Sequence, residues 1–259
     1  MQRRQFALGL ALATAGPAAF ARRPGRKFAL AAPSMTQPSP VAAVAPLLAQ
    51  PAADARLLQL QPMAATQPGE THSALAVSNA SFGEAGAPYR FTGHARTVRQ
   101  LRAVRPNAWE VAWLFWNFQD NDHLYYFVLK PNGWEIGKRD PRYVVPGVND
   151  GQKIMATGES VKAALSRWYA FDVRVNGAEA DIYVDGRFVC HFRDTDSAPL
   201  VAGRVGLYNE DAVCQWHGIT APVADGFDAE PLQPFVDGSQ LAHWTIAFLG
   251  YGAGGIVAA

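Results

Sequence analysis

Glu179-Ala180-Asp181-Ile182-Tyr183-Val184-Asp185-Gly186-Arg187-Phe188-Val189-Cys190-His191-Phe192 is the stretch on which the fold turns. Two short runs rich in β-branched and aromatic residues flank Asp185-Gly186, a pair that tolerates the positive φ of a tight hairpin. In the second run Phe188, Cys190 and Phe192 share one face, which turns His191 outward. The same grammar extends both ways. Pro131-Asn132-Gly133 and Asn176-Gly177 are further turn signals. Between such turns, strands are expected near Tyr89–Leu101, Trp109–Phe118, Leu124–Lys130, Trp134–Lys138 and Lys153–Ser160. Five more are expected near Trp168–Val175, Glu179–Val184, Arg187–Phe192, Arg204–Tyr208 and Val213–Ile219. No long helical period interrupts them. The expectation is an all-β domain built as a two-sheet antiparallel sandwich.

Composition sets the boundaries. Six of the seven Trp and seven of the eight Tyr lie between Thr71 and Pro222, so the β domain is placed at 71–222. Upstream, the span from Phe28 to Gly69 holds seven prolines but only two charged residues, Asp54 and Arg56. Residues 22–70 therefore read as an Ala/Pro-rich linker, in which a helix over Ala52 to Leu60 would be marginal alone. Residues 223–259 form a C-terminal extension. Its end, Trp244 to Ala259, is uncharged, Gly-rich and short for a membrane span, which favours a strand or an unordered tail. Residues 1–21 carry a basic start, an uncharged run from Gln5 to Ala21 and Ala19-Phe20-Ala21 as a cleavage pattern. This reads as a cleaved export signal, twin-arginine-like at Arg3-Arg4, with an ordinary secretory signal as the alternative. The expected location is periplasmic or secreted, with no transmembrane anchor once the signal is removed.

The chain of 259 residues has a formal net charge of +1. Losing Arg3 and Arg4 with the signal reverses that to −1. Such a balance argues against nucleic acid as a partner, which needs a clustered basic surface. Export makes a Cys190–Cys214 disulfide feasible, two buried free thiols being the alternative.

Three groups of residues then resemble a known family. They are Trp116-Asn117-Phe118-Gln119-Asp120-Asn121-Asp122-His123-Leu124-Tyr125-Tyr126-Phe127 with Gly133-Trp134-Glu135-Ile136-Gly137-Lys138; Arg167-Trp168-Tyr169 leading to Ile182-Tyr183-Val184-Asp185-Gly186-Arg187; and Gly203-Arg204-Val205-Gly206-Leu207-Tyr208. Their order resembles the concanavalin A-like lectin/glucanase superfamily, in its LamG-like and 3-keto-disaccharide-hydrolase-like jelly rolls. The resemblance implies a jelly-roll fold and leaves function open, because that superfamily holds lectins, glycosidases, lyases and adhesion domains.

Candidate sites follow from the residues. The strand from Trp109 to Phe118 is apolar on both faces, with Trp109, Val111, Trp113 and Phe115 on one and Ala112, Leu114, Trp116 and Phe118 on the other. One face would fill the core and the other line a concave groove, where aromatic rings stack on sugars. The expected ligand is therefore a glycan or polysaccharide, with Trp113, Trp116, Tyr126 and Trp134 stacking and Lys138 and Asp122 as polar contacts. A glycoside hydrolase is the alternative, with Glu110, Asp140 and Glu210 as candidate carboxylates; Glu179-Ala180-Asp181 lacks the second glutamate of the glucanase strand motif. An adhesion or assembly domain binding a protein is a further alternative. No cofactor is implied beyond calcium at Asp120 and Asp122, whose spacing fails the EF-hand pattern.

Overall fold

The computed structural model describes residues 50–51, 56–67, 69–103, 105–222, 229–231, 241 and 243–259. Residues 1–21, read above as an export signal, most of 22–70, read as a linker, and much of the segment after 222 lie outside the described residues. In chain order the strands are β1 (Arg56–Gln61), β2 (Ser73–Ser78), β3 (Tyr89–Gln100), β4 (Ala112–Asp120), β5 (His123–Lys130), β6 (Gly133–Val145), β7 (Asn149–Gly158) and β8 (Tyr169–Asn176). They continue as β9 (Glu179–Val184), β10 (Arg187–Arg193), β11 (Arg204–Glu210), β12 (Ala212–Pro222), β13 (Ala229–Pro231), β14 (Trp244–Phe248) and β15 (Ala253–Ala258).

The strands form two sheets. Sheet A runs β10-β9-β8-β3-β12-β1-β15, with the short β13 beside β12, and sheet B runs β14-β2-β11-β4-β5-β6-β7. All of these pairs are antiparallel. The two-sheet antiparallel sandwich is thus the observed architecture. All ten strands expected between Tyr89 and Ile219 are present. The Asp185-Gly186 turn has φ of 51° and 72°, which closes β9 onto β10 with Arg187 opposite Val184.

The sheets meet over one apolar cluster that includes Leu60, Phe91, Trp116, Phe127, Val173 and Trp216. Alternation explains the rest of sheet A: on β8 Tyr169, Phe171, Val173 and Val175 are buried, while the residues between them are half-buried. Strands also come from both spans placed outside the domain by composition. Arg56–Gln61 is a strand, not a helix turn; it pairs with β12 and β15, and Leu57, Leu58 and Leu60 are fully buried. The uncharged C-terminal run supplies β14 at the edge of sheet B and β15 at the edge of sheet A.

The expected parity of β4 changes at Asn117. This buried residue has φ of 47°, and the β4–β5 register slips between Trp116 and Asp120. Its Oδ1 accepts the Tyr89 hydroxyl at 2.7 Å, while its Nδ2 donates to the carbonyls of Gly177 (3.0 Å) and Leu200 (2.8 Å). The extra residue rotates the chain, as a bulge does. Trp116 therefore points into the sandwich, and Phe118 joins Trp113 and Phe115 on the outer face rather than Trp116.

The disulfide is excluded by topology. Cys190 lies on β10 and Cys214 on β12, four strand steps apart in sheet A. At about 4.8 Å per step that is about 19 Å, far beyond the reach of one bond. Both are free thiols, and burial pushes each up to about 12.

Candidate functional site: an aromatic cleft on the outer face of sheet B

The outer face of sheet B carries a second apolar cluster, with Trp113, Phe115, Tyr126, Val128 and Tyr208 at its centre and Trp109 and Phe248 packed against it. The rings interlock: Trp113 lies 4.8 Å from Tyr126 and 5.4 Å from Tyr208, and Phe115 stacks on Tyr208 at 4.9 Å. Such pairs hold one another's geometry beyond simple burial. Trp113, at 3% exposure, and Tyr126, at 2%, form the floor of this face.

Tyr126 can lie flat there because its neighbour on β6 has no side chain. A Cβ on Gly137 would sit 2.1 Å from the Tyr126 ring. The phenol passes over Gly137 and donates to Glu135 Oε1 at 2.9 Å, while Gln152 Nε2 donates to the phenol oxygen at 2.7 Å. Glu135 gathers two more donors, Lys130 Nζ at 2.6 Å and the Trp109 indole Nε1–H at 3.3 Å. Lys130 Nζ also stands 4.4 Å from the Trp109 ring centroid. The half-buried Trp109 is therefore fixed by its indole N–H, by a cation near its ring, and by its backbone N–H, bonded to Asn107 Oδ1 at 2.9 Å.

Beside this ring opens a cleft of about 220 Å³. It is lined by Trp109 and Glu135 and by Val148, Asn149, Asp150, Gln152 and Ile154 of the β6–β7 hairpin. The Asn149 side chain is spent on its own turn, bonding Gly151 N, Gln152 N and the Gln152 carbonyl. Arg139 bridges Asp150 (2.8 Å) and Asp122 (3.2 Å). The cleft thus joins an oriented indole, exposed aliphatic side chains and two polar groups, Asp150 and Gln152.

The six expected ligand contacts do not share one surface. Trp113 and Tyr126 lie on the outer face, beneath the cleft. Trp116 and Trp134 point into the sandwich core, where the Trp134 indole donates to Ser160 Oγ at 3.0 Å. Lys138 has the parity of Trp134 and Ile136 and lies inside with them, 0% exposed. Its Nζ donates to Asp194 Oδ2 at 2.7 Å and the Ala198 carbonyl at 2.8 Å, with Asp140 at 3.7 Å and Asp196 at 3.9 Å. Burial works against the Asp194 carboxylate, but the bonds from Lys138 and Tyr125 outweigh it and hold that group below its ordinary value. Lys138 is therefore an interior ion-pair residue. Asp122 sits at the β4–β5 hairpin, its side chain 61% exposed.

The expected carboxylate trio is not brought together as one group: Asp140 stands apart from Glu110 and Glu210. Asp140 is on the Lys138 side of β6, and bonds to the Arg142 guanidinium hold it down to about 2. Glu110 is paired with Arg102, which also donates to Asp211 at 2.8 Å; burial nonetheless raises the Glu110 value. Only Glu210 lies on the aromatic outer face, accepting the Tyr208 hydroxyl at 2.8 Å. Complete burial pushes its carboxyl up to about 8. At the calcium candidates, Asp120 Oδ1 accepts from Asp122 N (2.8 Å) and His123 Nδ1 (2.9 Å), and Asp122 pairs with Arg139. These are turn-forming bonds. Among the described residues no group of three or more His, Cys, Asp or Glu is arranged to hold a metal ion, and no helix is long and apolar enough to cross a membrane.

The sequence pointed to the aromatic face but missed Glu135, Asp150 and Gln152. Glu135 had one available signal: it alternates with Trp134 and Ile136 and so faces opposite to them. Asp150 and Gln152 reach the cleft only through the β6–β7 pairing.

No protein-family model matches the chain, and no curated protein sequence does. Among solved structures it is similar to carbohydrate-binding module CBM66 from Bacillus subtilis, at 15% identity and a TM-score of 0.45, over 64% of this chain and 95% of that one. It is also similar to sheep galectin-11 in complex with glycerol (11%, 0.38, 55% and 95%) and to a heptameric SAP-like pentraxin from Limulus polyphemus (9%, 0.40, 66% and 77%). At these identities the likeness is one of fold alone.

Proposed function

We propose that the domain binds carbohydrate in the cleft beside Trp109. One observation carries the reading: a half-buried indole, clamped through its N–H by a buried glutamate, faces a cleft of about 220 Å³ that has exposed aliphatic side chains and uncommitted polar oxygens. A pyranose presents an apolar C–H face and a rim of hydroxyls. The Trp109 ring, with Val148 and Ile154, matches the first, and Asp150 and Gln152 match the second. Ligand sites combine mostly apolar walls with a few placed polar groups in this way. The clamp adds affinity by removing rotamer freedom before the ligand arrives. Export by residues 1–21 belongs to this reading and rests on the sequence alone.

A glycan array probed with labelled wild-type protein and with Trp109→Ala tests it. The wild type is expected to bind at least one glycan, and the variant to lose at least about tenfold in affinity, as a central aromatic contact does. No bound glycan, or equal binding by the variant, overturns the reading.

A further inference from the structure

The polar groups of the cleft differ in what they have left to offer. Both Glu135 oxygens are engaged by Lys130, Tyr126 and the Trp109 indole. That carboxylate positions the ring and has little capacity left for a ligand. Asp150 differs: Arg139 bonds its Oδ2, whereas among the described residues no donor is bonded to Oδ1, and the side chain is 35% exposed. Gln152 spends an N–H on the Tyr126 hydroxyl, which leaves its Oε1 as a second acceptor.

The charge is also unbalanced. Lys130 and Glu135 neutralise each other, but the single Arg139 guanidinium is shared between Asp122 and Asp150. The cluster of Asp122, Arg139 and Asp150 carries a net charge of −1, and its Asp150 lines the cleft. A ligand there meets acceptor oxygens and a residual negative charge, beside the apolar side chains of Trp109, Val148 and Ile154.

Building on the carbohydrate-binding reading, we infer that the cleft selects a basic sugar, a 2-amino sugar whose ammonium donates to Asp150 Oδ1, and rejects acidic sugars. An ammonium–carboxylate hydrogen bond is stronger than its neutral counterpart. A uronic acid would instead place a carboxylate beside Asp150, and like charges brought together oppose binding.

The test compares three oligosaccharides of equal length by titration calorimetry at mildly acidic pH: one of 2-amino sugars, its N-acetylated form, and one of uronic acids. Wild type and Asp150→Asn are both used, with thermal unfolding to verify that the variant is folded. The amino form is expected to bind about tenfold tighter than the N-acetylated form, the order of one charge-assisted hydrogen bond. That ratio should fall toward one in Asp150→Asn and shrink as salt is added. Equal or tighter binding of the N-acetylated or uronic form overturns the inference, as does a preference that survives in Asp150→Asn. If the amino form fails to bind while another arrayed glycan binds at Trp109, the inference falls and the carbohydrate-binding reading stands. If no glycan binds, both fall.

Discussion

Glu210→Gln should change how the stability of this protein depends on pH. Glu210 is 3% exposed on the outer face of sheet B, bonded to the Tyr208 hydroxyl at 2.8 Å. Burial, with Asp211, Glu110 and Asp150 nearby, raises its carboxyl from 4.5 to about 8, although the Tyr208 bond works the other way. In the unfolded chain the group ionises near 4.5; in the folded protein it keeps its proton until about 8. The stability this proton confers is fully present below pH 4.5 and is lost as pH rises through about 8. At about 1.36 kcal/mol per pH unit, the whole loss is about 5 kcal/mol, of which about 3 kcal/mol is gone at neutral pH. Glutamine cannot ionise, and its carbonyl can still accept the Tyr208 hydroxyl. Urea unfolding of both proteins across a pH series is the assay. The two stabilities should agree within error at the acid end and diverge steadily, with the variant more stable at neutral pH and above. Parallel curves would refute the argument, because they would mean that Glu210 is already ionised at neutral pH and that its surroundings are wet.

Lys138→Met removes the cation bonded to Asp194, whose side chain is fully buried, while Asp140 keeps Arg142 and Asp196 keeps Lys153. Leaving the buried Asp194 carboxylate without its cation should cost about 3–5 kcal/mol in chemical denaturation; a loss below about 1 kcal/mol would mean that Asp194 is solvated. Gly137→Ala places a Cβ 2.1 Å from the Tyr126 ring. It should destabilise by at least about 1–3 kcal/mol and, by releasing Tyr126 from Glu135, weaken glycan binding in a fold that circular dichroism shows intact. Thiol titration should find two reactive cysteines in unfolded, unreduced protein, because Cys190 and Cys214 lie on strands four steps apart; finding none would contradict the strand order.

The middle of the fold was legible because its turns are chemically explicit and its strands alternate. The outer strands were not. In β2, Ser73–Ser78, all six residues are buried, so small side chains hide on both faces and no alternation marks them. In β1, three leucines sit in an Ala/Pro context whose composition resembles a linker; only their pairing with Trp216 and Ile256 neighbours makes them core. Parity placed Trp113 and Trp116 on opposite faces of β4 and grouped Lys138 with Trp134 and Ile136. Periodicity cannot say which of two apolar faces meets the other sheet, so a groove drawn from both was too inclusive. The reversal at Phe118 depends on the positive φ of Asn117 and its three long-range partners. The cleft itself joins Trp109, Glu135 and Gln152 from three chain segments, through pairings that no local pattern specifies.

The central claim is that ligand meets the chain at the Trp109 indole. The most direct measurement follows the tryptophan indole N–H resonances of isotope-labelled protein as the tightest-binding oligosaccharide from the array is added. The account predicts a saturable shift of the Trp109 resonance, with Trp116 and Trp216 in the core unmoved. A saturable shift at Trp168, which precedes β8 and packs against His217 of β12, with Trp109 unmoved would contradict it.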